Sequence, residues 1–430
     1  MTTTTGNINR RALLAGVAAL GSIAATGSGK SSGLSKETKD QMQANIGGNV
    51  WDVVVVGAGV FGAWTATHLQ RLGKRVLLVD AGGPANARAS SGGETRMTRT
   101  AYGADAIYSQ MATQSLEEWK ALSERAALPL FHQTGVLMFF QTMVDYAKQS
   151  IEVHKNLDLP LEVLDASALA TKFPQVDFAG VEFGLHETEF GVLMARRSVL
   201  HLVEEYVQAG GAYARGQATA PEPGGDGHSL KIDGEPVQTD AVVYACGPWL
   251  PKLFPELLGP RFFVTRQAVA FVAPPAGNDM FSAGALPGWA DFNGCDLYYG
   301  FADIEGRGLK IAHDQHGPAF DPDMGDRRIA DGEYDRLRTY MERRFPALAG
   351  QPFVGERVCQ YTNSSNGDFL IDKHPDFEQV YLLGGGSGHG FKHGPEVGRT
   401  AAAMITDTGR TPDQRFSLAS KETTHHRAVI

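Results

Sequence analysis

Between Trp51 and Asp80 the apolar positions change period twice. Residues 53–56 are an uninterrupted run of valines, the pattern of a parallel strand covered on both faces. Gly57, Gly59 and Gly62 follow at G-x-G-x-x-G spacing, and Ala63, Ala66 and Leu69 then recur at helical spacing until Gly73. Residues 76–79 return to a continuous apolar run that ends on Asp80. A strand, tight turn, helix and strand in this order predict a dinucleotide site. The missing side chains let backbone N–H groups approach a pyrophosphate at the helix N-terminus. A carboxylate about twenty residues beyond the glycines accepts hydrogen bonds from a ribose hydroxyl. An ordinary glycine turn explains the triplet alone but not its flanks, and the pattern leaves the choice of dinucleotide open.

Further along, a small-residue loop over 82–95 runs into SSGGETRMTRTAYG. There Arg96 and Arg99, three apart, would share a face if the segment turned helical; a solvated basic face is the plainer reading. The pattern predicts an amphipathic helix over 108–122 and a segment of strand formers over 134–140. It then becomes mixed, with no recognisable motif, to about Phe190. Apolar residues at Val199, Leu200, Val203, Tyr206 and Val207 mark a core helix within 194–207, closed by Gly210 and Gly211. Residues 240–245 read as a buried strand before a second glycine turn, with a hairpin or surface loop ahead of it over 224–234. The nucleotide domain is therefore expected to be discontinuous. Strands of a second sheet are expected over 262–272 and 295–313, and a charged amphipathic helix over 331–344. A strand, glycine loop and helix starting near Pro395 are expected over 379–405, because proline favours the first helical turn. The tail after Gly409 reads as poorly structured.

At 430 residues the chain exceeds one ordinary core. Its 39 basic and 48 acidic residues give a net charge of -9, which argues against nucleic acid and shows no basic membrane-binding surface. Cys246, Cys295 and Cys359 lie far apart, suggesting neither a zinc site nor a disulfide framework. Arg10 and Arg11 precede an apolar run from Ala12 to Ala25 that is short for a membrane span of about 20 residues. Residues 1–26 are read as an export signal, of the twin-arginine type, with a Sec-type signal or a retained anchor as alternatives. Residues 27–49 are a polar linker.

GAGVFG, GGETRMTR, TGVLMF, YYGF followed by Lys310, CQYT with FLID, and GSGHGFK stand in this order along the chain. In this the sequence resembles the flavin amine oxidases of the D-amino-acid oxidase superfamily, and among them the monomeric sarcosine oxidases and N-methyltryptophan oxidases, from about Trp51 to Gly409. The resemblance implies an α/β plus α+β protein. A discontinuous Rossmann-like FAD-binding domain (50–130, 190–260 and 355–409) meets a mostly antiparallel substrate domain (131–189 and 261–354), with 410–430 as a tail. It implies FAD, held by Gly57, Gly59, Gly62, Asp80, Thr95, Gly388, His389, Gly390 and Phe391, and joined through a thioether to Cys359. It assigns Arg99 and Lys392 to the substrate carboxylate, Arg96 to the flavin ring, Lys310 to oxygen, and Tyr299 and Tyr361 to the substrate amine. His313 joins the catalytic set, although the family's histidine stands one position later, where this chain has Asp314.

Together these imply an enzyme that oxidises secondary amines, N-alkyl amino acids above all. A hydride passes to FAD, the imine is hydrolysed, and oxygen leaves as hydrogen peroxide. An exported dehydrogenase feeding a quinone or carrier, a non-catalytic flavin-binding module and an NAD-dependent dehydrogenase are the rival readings; the last gives no account of Cys359 with Tyr361. Neither the amine nor the oligomeric state is legible.

Overall fold

A computed structural model describes residues 50–222, 229–293, 296–407 and 409–424. The expected export signal and linker lie outside the described residues, as do Cys295 and part of the 224–234 loop. Six strands of a seven-stranded sheet run in the order Leu370–Lys373, Val380–Gly384, Glu235–Tyr244, Val50–Val56, Val76–Asp80, Ala212–Arg215; Ser229–Ile232 pairs with Glu235–Tyr244 off this path. Val50–Val56 lies parallel to both its neighbours. Its valines 53–56 are buried, as a strand covered on both faces requires. Each such side chain contributes on the order of 1.5–3 kcal/mol. Three separate stretches of chain supply this sheet, so it is discontinuous.

The helix Val60–Arg71 follows the glycine turn and buries Ala63, Ala66 and Leu69. Gly57 takes φ +106°, and a Cβ on Gly62 would stand 1.9 Å from the Gly57 carbonyl oxygen. Gly57 thus makes the turn, and Gly62 lets the helix start against it.

The second sheet has eight strands, in the order Phe353–Ser364, Phe262–Val272, Leu309–His313, Asp296–Phe301, Gly288–Asn293, Val136–Phe140, Phe183–Glu187, Glu162–Asp165. Every neighbouring pair is antiparallel except Gly288–Asn293 with Val136–Phe140. Helix Asp331–Arg344 buries Leu337, Tyr340, Met341 and Arg344, one helical stripe. It is fixed to the sheet by Arg344 Nε and the Tyr340 hydroxyl, which donate to Asp291 at 2.8 and 2.9 Å. A third, small antiparallel sheet consists of Thr95–Thr98, Gly191–Met194 and Phe131–His132. Among the described residues no helix is long and apolar enough to cross a membrane.

The structure departs from two expectations and decides one condition left open. The strand Phe353–Ser364 belongs wholly to the eight-stranded sheet, so the division expected at 354/355 falls inside a strand and Cys359 is carried by that sheet. The segment of Arg96 does not turn helical: Arg96 stands in an extended strand, because the alternating threonines of TRMT suit a ladder with Gly191–Met194. The tail is ordered through residue 424. Phe416 is buried against Phe369, Arg415 donates to Asp105 at 2.9 Å, and the Lys421 ammonium is buried with its Nζ on the Arg415 carbonyl at 2.6 Å. A single aromatic anchor with two cations orders a stretch whose composition is polar.

Candidate active site

Two cavities share a wall. The larger, about 660 Å³, runs from Gly57, Gly59 and Asp80 to Cys359. Beside the glycine turn Asp80 accepts hydrogen bonds from the N–H groups of Ala58 and Gly82, both at 2.8 Å, so its carboxylate braces that turn. Burial nevertheless pushes its pKa above the usual aspartate value. Ser91 Oγ accepts from the Val60 N–H at 3.0 Å and satisfies one orphan donor of the helix. The size, the bare glycine floor and the helix N-terminus fit an extended dinucleotide such as FAD.

The smaller cavity, about 380 Å³, is walled by Arg99, Tyr299, Lys310, Asp314 and Lys392, with His389 also in its lining. Arg96, Cys359, Tyr361, Ser387, Gly388 and Phe391 line both spaces, while Gly390 lines only the larger. Any flat group lying along this shared wall has the nucleotide turn on one side and the smaller chamber on the other.

The shared wall is built around the backbone of Thr95. Its carbonyl accepts from Arg96 Nη1 at 2.7 Å and from Lys310 Nζ at 3.1 Å, and Arg96 Nη2 lies 3.2 Å from Cys359 Sγ. Thr95 itself lines neither space. It serves by aiming two cations, and its own hydroxyl is buried without a hydrogen-bond partner. Lys310 is 3 % exposed, with Nζ 4.7 Å from the Phe301 ring centroid and 5.4 Å from that of Tyr299. Burial and the Arg96 guanidinium push its pKa well below the usual lysine value.

Arg99 and Lys392 arrive from chain segments almost three hundred residues apart and meet on one aromatic ring. The Arg99 guanidinium carbon lies 4.3 Å from the Tyr102 centroid and Lys392 Nζ 5.0 Å from it. Arg99 also donates to the Ala101 carbonyl and to the Tyr146 hydroxyl. Lys392 Nζ donates to the His389 carbonyl at 3.0 Å, and its own carbonyl accepts from Trp119 Nε1 at 2.8 Å. The Tyr102 hydroxyl is held between His393 Nε2 at 2.9 Å and His389 Nδ1 at 3.3 Å. Burial, then the Lys392 charge, push the His393 pKa well down.

In the same chamber Tyr361 donates its hydroxyl to Asp314 at 3.0 Å. Burial, then the Asp314 charge, raise the phenol pKa of both Tyr299 and Tyr361. His313 is the one assigned catalytic residue that the structure sets apart from the chamber. Along the strand Leu309–His313 side chains alternate, so Lys310 faces the chamber and His313 the far side. There His313 stacks on Tyr298 at 4.5 Å and approaches Asp296 at 3.2 Å. Asp314, just past the strand, lines the chamber instead.

Residues 52–404 match the family described as FAD dependent oxidoreductase (DAO). The chain belongs to this family. Among its relatives in this oxidoreductase family, monomeric sarcosine oxidase from Streptomyces avermitilis is 30 % identical over 367 residues, covering 84 % of this chain and 94 % of the relative. N-methyl-L-tryptophan oxidase from Salmonella heidelberg is 27 % identical over 369 residues, covering 84 % and 96 %. The solved structure of NikD, an unusual amino acid oxidase essential for nikkomycin biosynthesis, superposes with a TM-score of 0.72 at 23 % identity, over 86 % of this chain and 97 % of that one. At that identity the likeness speaks for the fold.

Sequence reasoning passed over Tyr102, Trp119, Tyr146 and Ser91 in this oxidoreductase. Tyr102 stands in the quoted TRTAYG stretch, three residues after Arg99. Its only available signal was aromatic character beside a cation, which a core tyrosine shares.

Proposed function

We propose that the protein is an oxidase of secondary amines carrying a carboxylate, N-alkyl amino acids above all, and that it releases hydrogen peroxide. The observation that carries this reading is the convergence of Arg99 and Lys392 on Tyr102 in the chamber beside Cys359. A carboxylate leaving water needs charge-assisted donors, and a guanidinium offers two in parallel. Tyr102 and Tyr146 hold the arginine, and Trp119 fixes the lysine backbone, so the donors are arranged before a ligand arrives. With the carboxylate there, Tyr299 and Tyr361 flank the remainder of a small molecule. A chamber of about 380 Å³ suits an amino acid rather than a peptide.

FAD, when bound, supplies the acceptor for the hydride equivalent and returns the electrons to oxygen. Gly57 and Gly59 would take its pyrophosphate, and the Cys359 thiol would form the thioether that joins it to the chain. Arg96 would lie against its ring. The protonated Lys310 would stabilise charge developing on oxygen in a water-poor site. Water entering the chamber hydrolyses the released imine.

The test is a peroxide-release screen of purified yellow protein against a panel of N-substituted amino acids, including sarcosine, N-methyltryptophan, pipecolate and fructosyl amino acids, with air or a quinone as acceptor. The reading expects peroxide from at least one carboxylate-bearing amine and none from the matching amine that lacks the carboxylate. Turnover with quinone alone would make the protein a dehydrogenase.

A further inference from the structure

The chamber is not uniformly cationic. Asp314 lines the same chamber as Arg99 and Lys392; its carboxylate accepts from Tyr361 at 3.0 Å and its charge is felt by Arg99, Tyr299 and Tyr361. Its position is fixed twice over. The Asp314 N–H donates to the Leu297 carbonyl at 2.7 Å, and strand alternation gives it the chamber side that it shares with Lys310. Four residues along an extended chain put its Cα about 13 Å from that of Lys310. The two groups therefore mark different parts of the chamber, the lysine at the Cys359 wall and the carboxylate further along. A zwitterionic ligand has its own two ends, and this chamber offers complementary charge to both.

We propose that Asp314, steadied by Tyr361, is the specificity-determining residue that receives the positively charged nitrogen of the substrate, so that the site selects the ammonium form of an amino acid whose carboxylate lies on Arg99 and Lys392. This deepens the proposed function and rests on it. The role asked of Asp314 is recognition of charge in the ground state. A carboxylate facing an ammonium strengthens the encounter, whereas an uncharged ligand of the same shape leaves that carboxylate facing an apolar group. Hydrogen bonds to charged groups are worth enough to produce a preference of about tenfold or more.

The experiment compares binding of two shape-matched ligands to the holoenzyme, followed by the change in its visible absorption. N,N-dimethylglycine carries the ammonium, and 3-methylbutanoate has carbon in its place. The wild type is expected to bind dimethylglycine at least about tenfold more tightly, and Asp314→Asn to lose most of that ratio while keeping its affinity for 3-methylbutanoate. Trimethylglycine against 3,3-dimethylbutanoate on the wild type alone gives the same readout with a fixed charge, and needs no variant to fold. Equal affinities, tighter binding of the uncharged ligands, no binding of any of the four, or an unchanged ratio in Asp314→Asn overturns the proposal. Peroxide release from N-alkyl amino acids by the same preparation reports separately on the underlying reading: peroxide without charge preference removes Asp314 alone.

Discussion

Lys310 Nζ donates a hydrogen bond to the carbonyl oxygen of Thr95 at 3.1 Å, the same oxygen that holds Arg96 at 2.7 Å. A neutral acceptor on a short strand thus aims two cations at one wall without cancelling their charge. Carboxylate partners there would have neutralised that field.

Replacing Lys310 with Met should therefore slow reoxidation of the reduced enzyme by roughly a hundredfold, the scale of removing one preorganised stabiliser. Anaerobic reduction by substrate should change little. Stopped-flow measurement of both half-reactions checks this, and equal losses in the two would remove the oxygen role. Because burial and Arg96 hold the lysine pKa well below its ordinary value, the active ammonium is lost as pH rises through that lowered pKa. Wild-type reoxidation should fall in that direction, and Lys310→Met should show no such dependence.

Arg99→Lys keeps the charge but gives up the planar fork stacked on Tyr102. Steady-state kinetics should show kcat/KM for a carboxylate-bearing amine reduced by about ten- to a hundredfold, with most of the loss in KM, on the scale of charged hydrogen bonds. Unchanged KM would place the carboxylate elsewhere.

Cys359 lines both cavities beside Arg96. Acid-precipitated wild-type protein should keep its yellow colour in the pellet, and Cys359→Ser should release it to the supernatant. A colourless wild-type pellet would show that the flavin is held without a bond.

His68 is buried beneath Trp64, with Nε2 3.1 Å from the Pro395 carbonyl, and burial together with Arg71 lowers its pKa from 6.5 to about 4. Between those values the unfolded chain takes up a proton that the folded chain refuses, so stability falls as pH drops from 6.5 towards 4. The effect reaches at most about 3 kcal/mol for this one group. Thermal unfolding of His68→Gln over that range should show a shallower loss than the wild type. Parallel curves would mean that His68 titrates alike in both states.

The long-range order of elements was legible because each rests on a strong period or on punctuation by glycine and proline. The opening unit, the helix from Gly394 and the helix Asp331–Arg344 all fall where the pattern predicts. Register was harder. His313 ends its strand and Asp314 follows it, and one position reverses the face, so the position of the family's histidine falls on the chamber side at Asp314 while this chain's histidine lies on the far side. Arg96 and Arg99 reach one chamber by extended backbone, although their spacing is equally suited to a helix. Tyr102 and the ordered tail depend on partners far away in sequence, His393 for the one and Phe369 for the other, and no local pattern encodes such partners.

The discontinuity of the seven-stranded sheet also sets an order in time. The glycine turn leaves the ribosome first, yet the strand bearing Cys359 and the loop bearing Lys392 follow some three hundred residues later. At synthesis rates of about 5–20 residues per second, that interval is roughly 15–60 seconds. Until Glu235–Tyr244 emerges, some 180 residues after the glycine turn, the valines of the central strand have one strand neighbour in Val76–Asp80, and their other edge is open. The nascent chain must be kept from sticking to others by that exposed strand, and its nucleotide floor has no far wall until synthesis is almost finished.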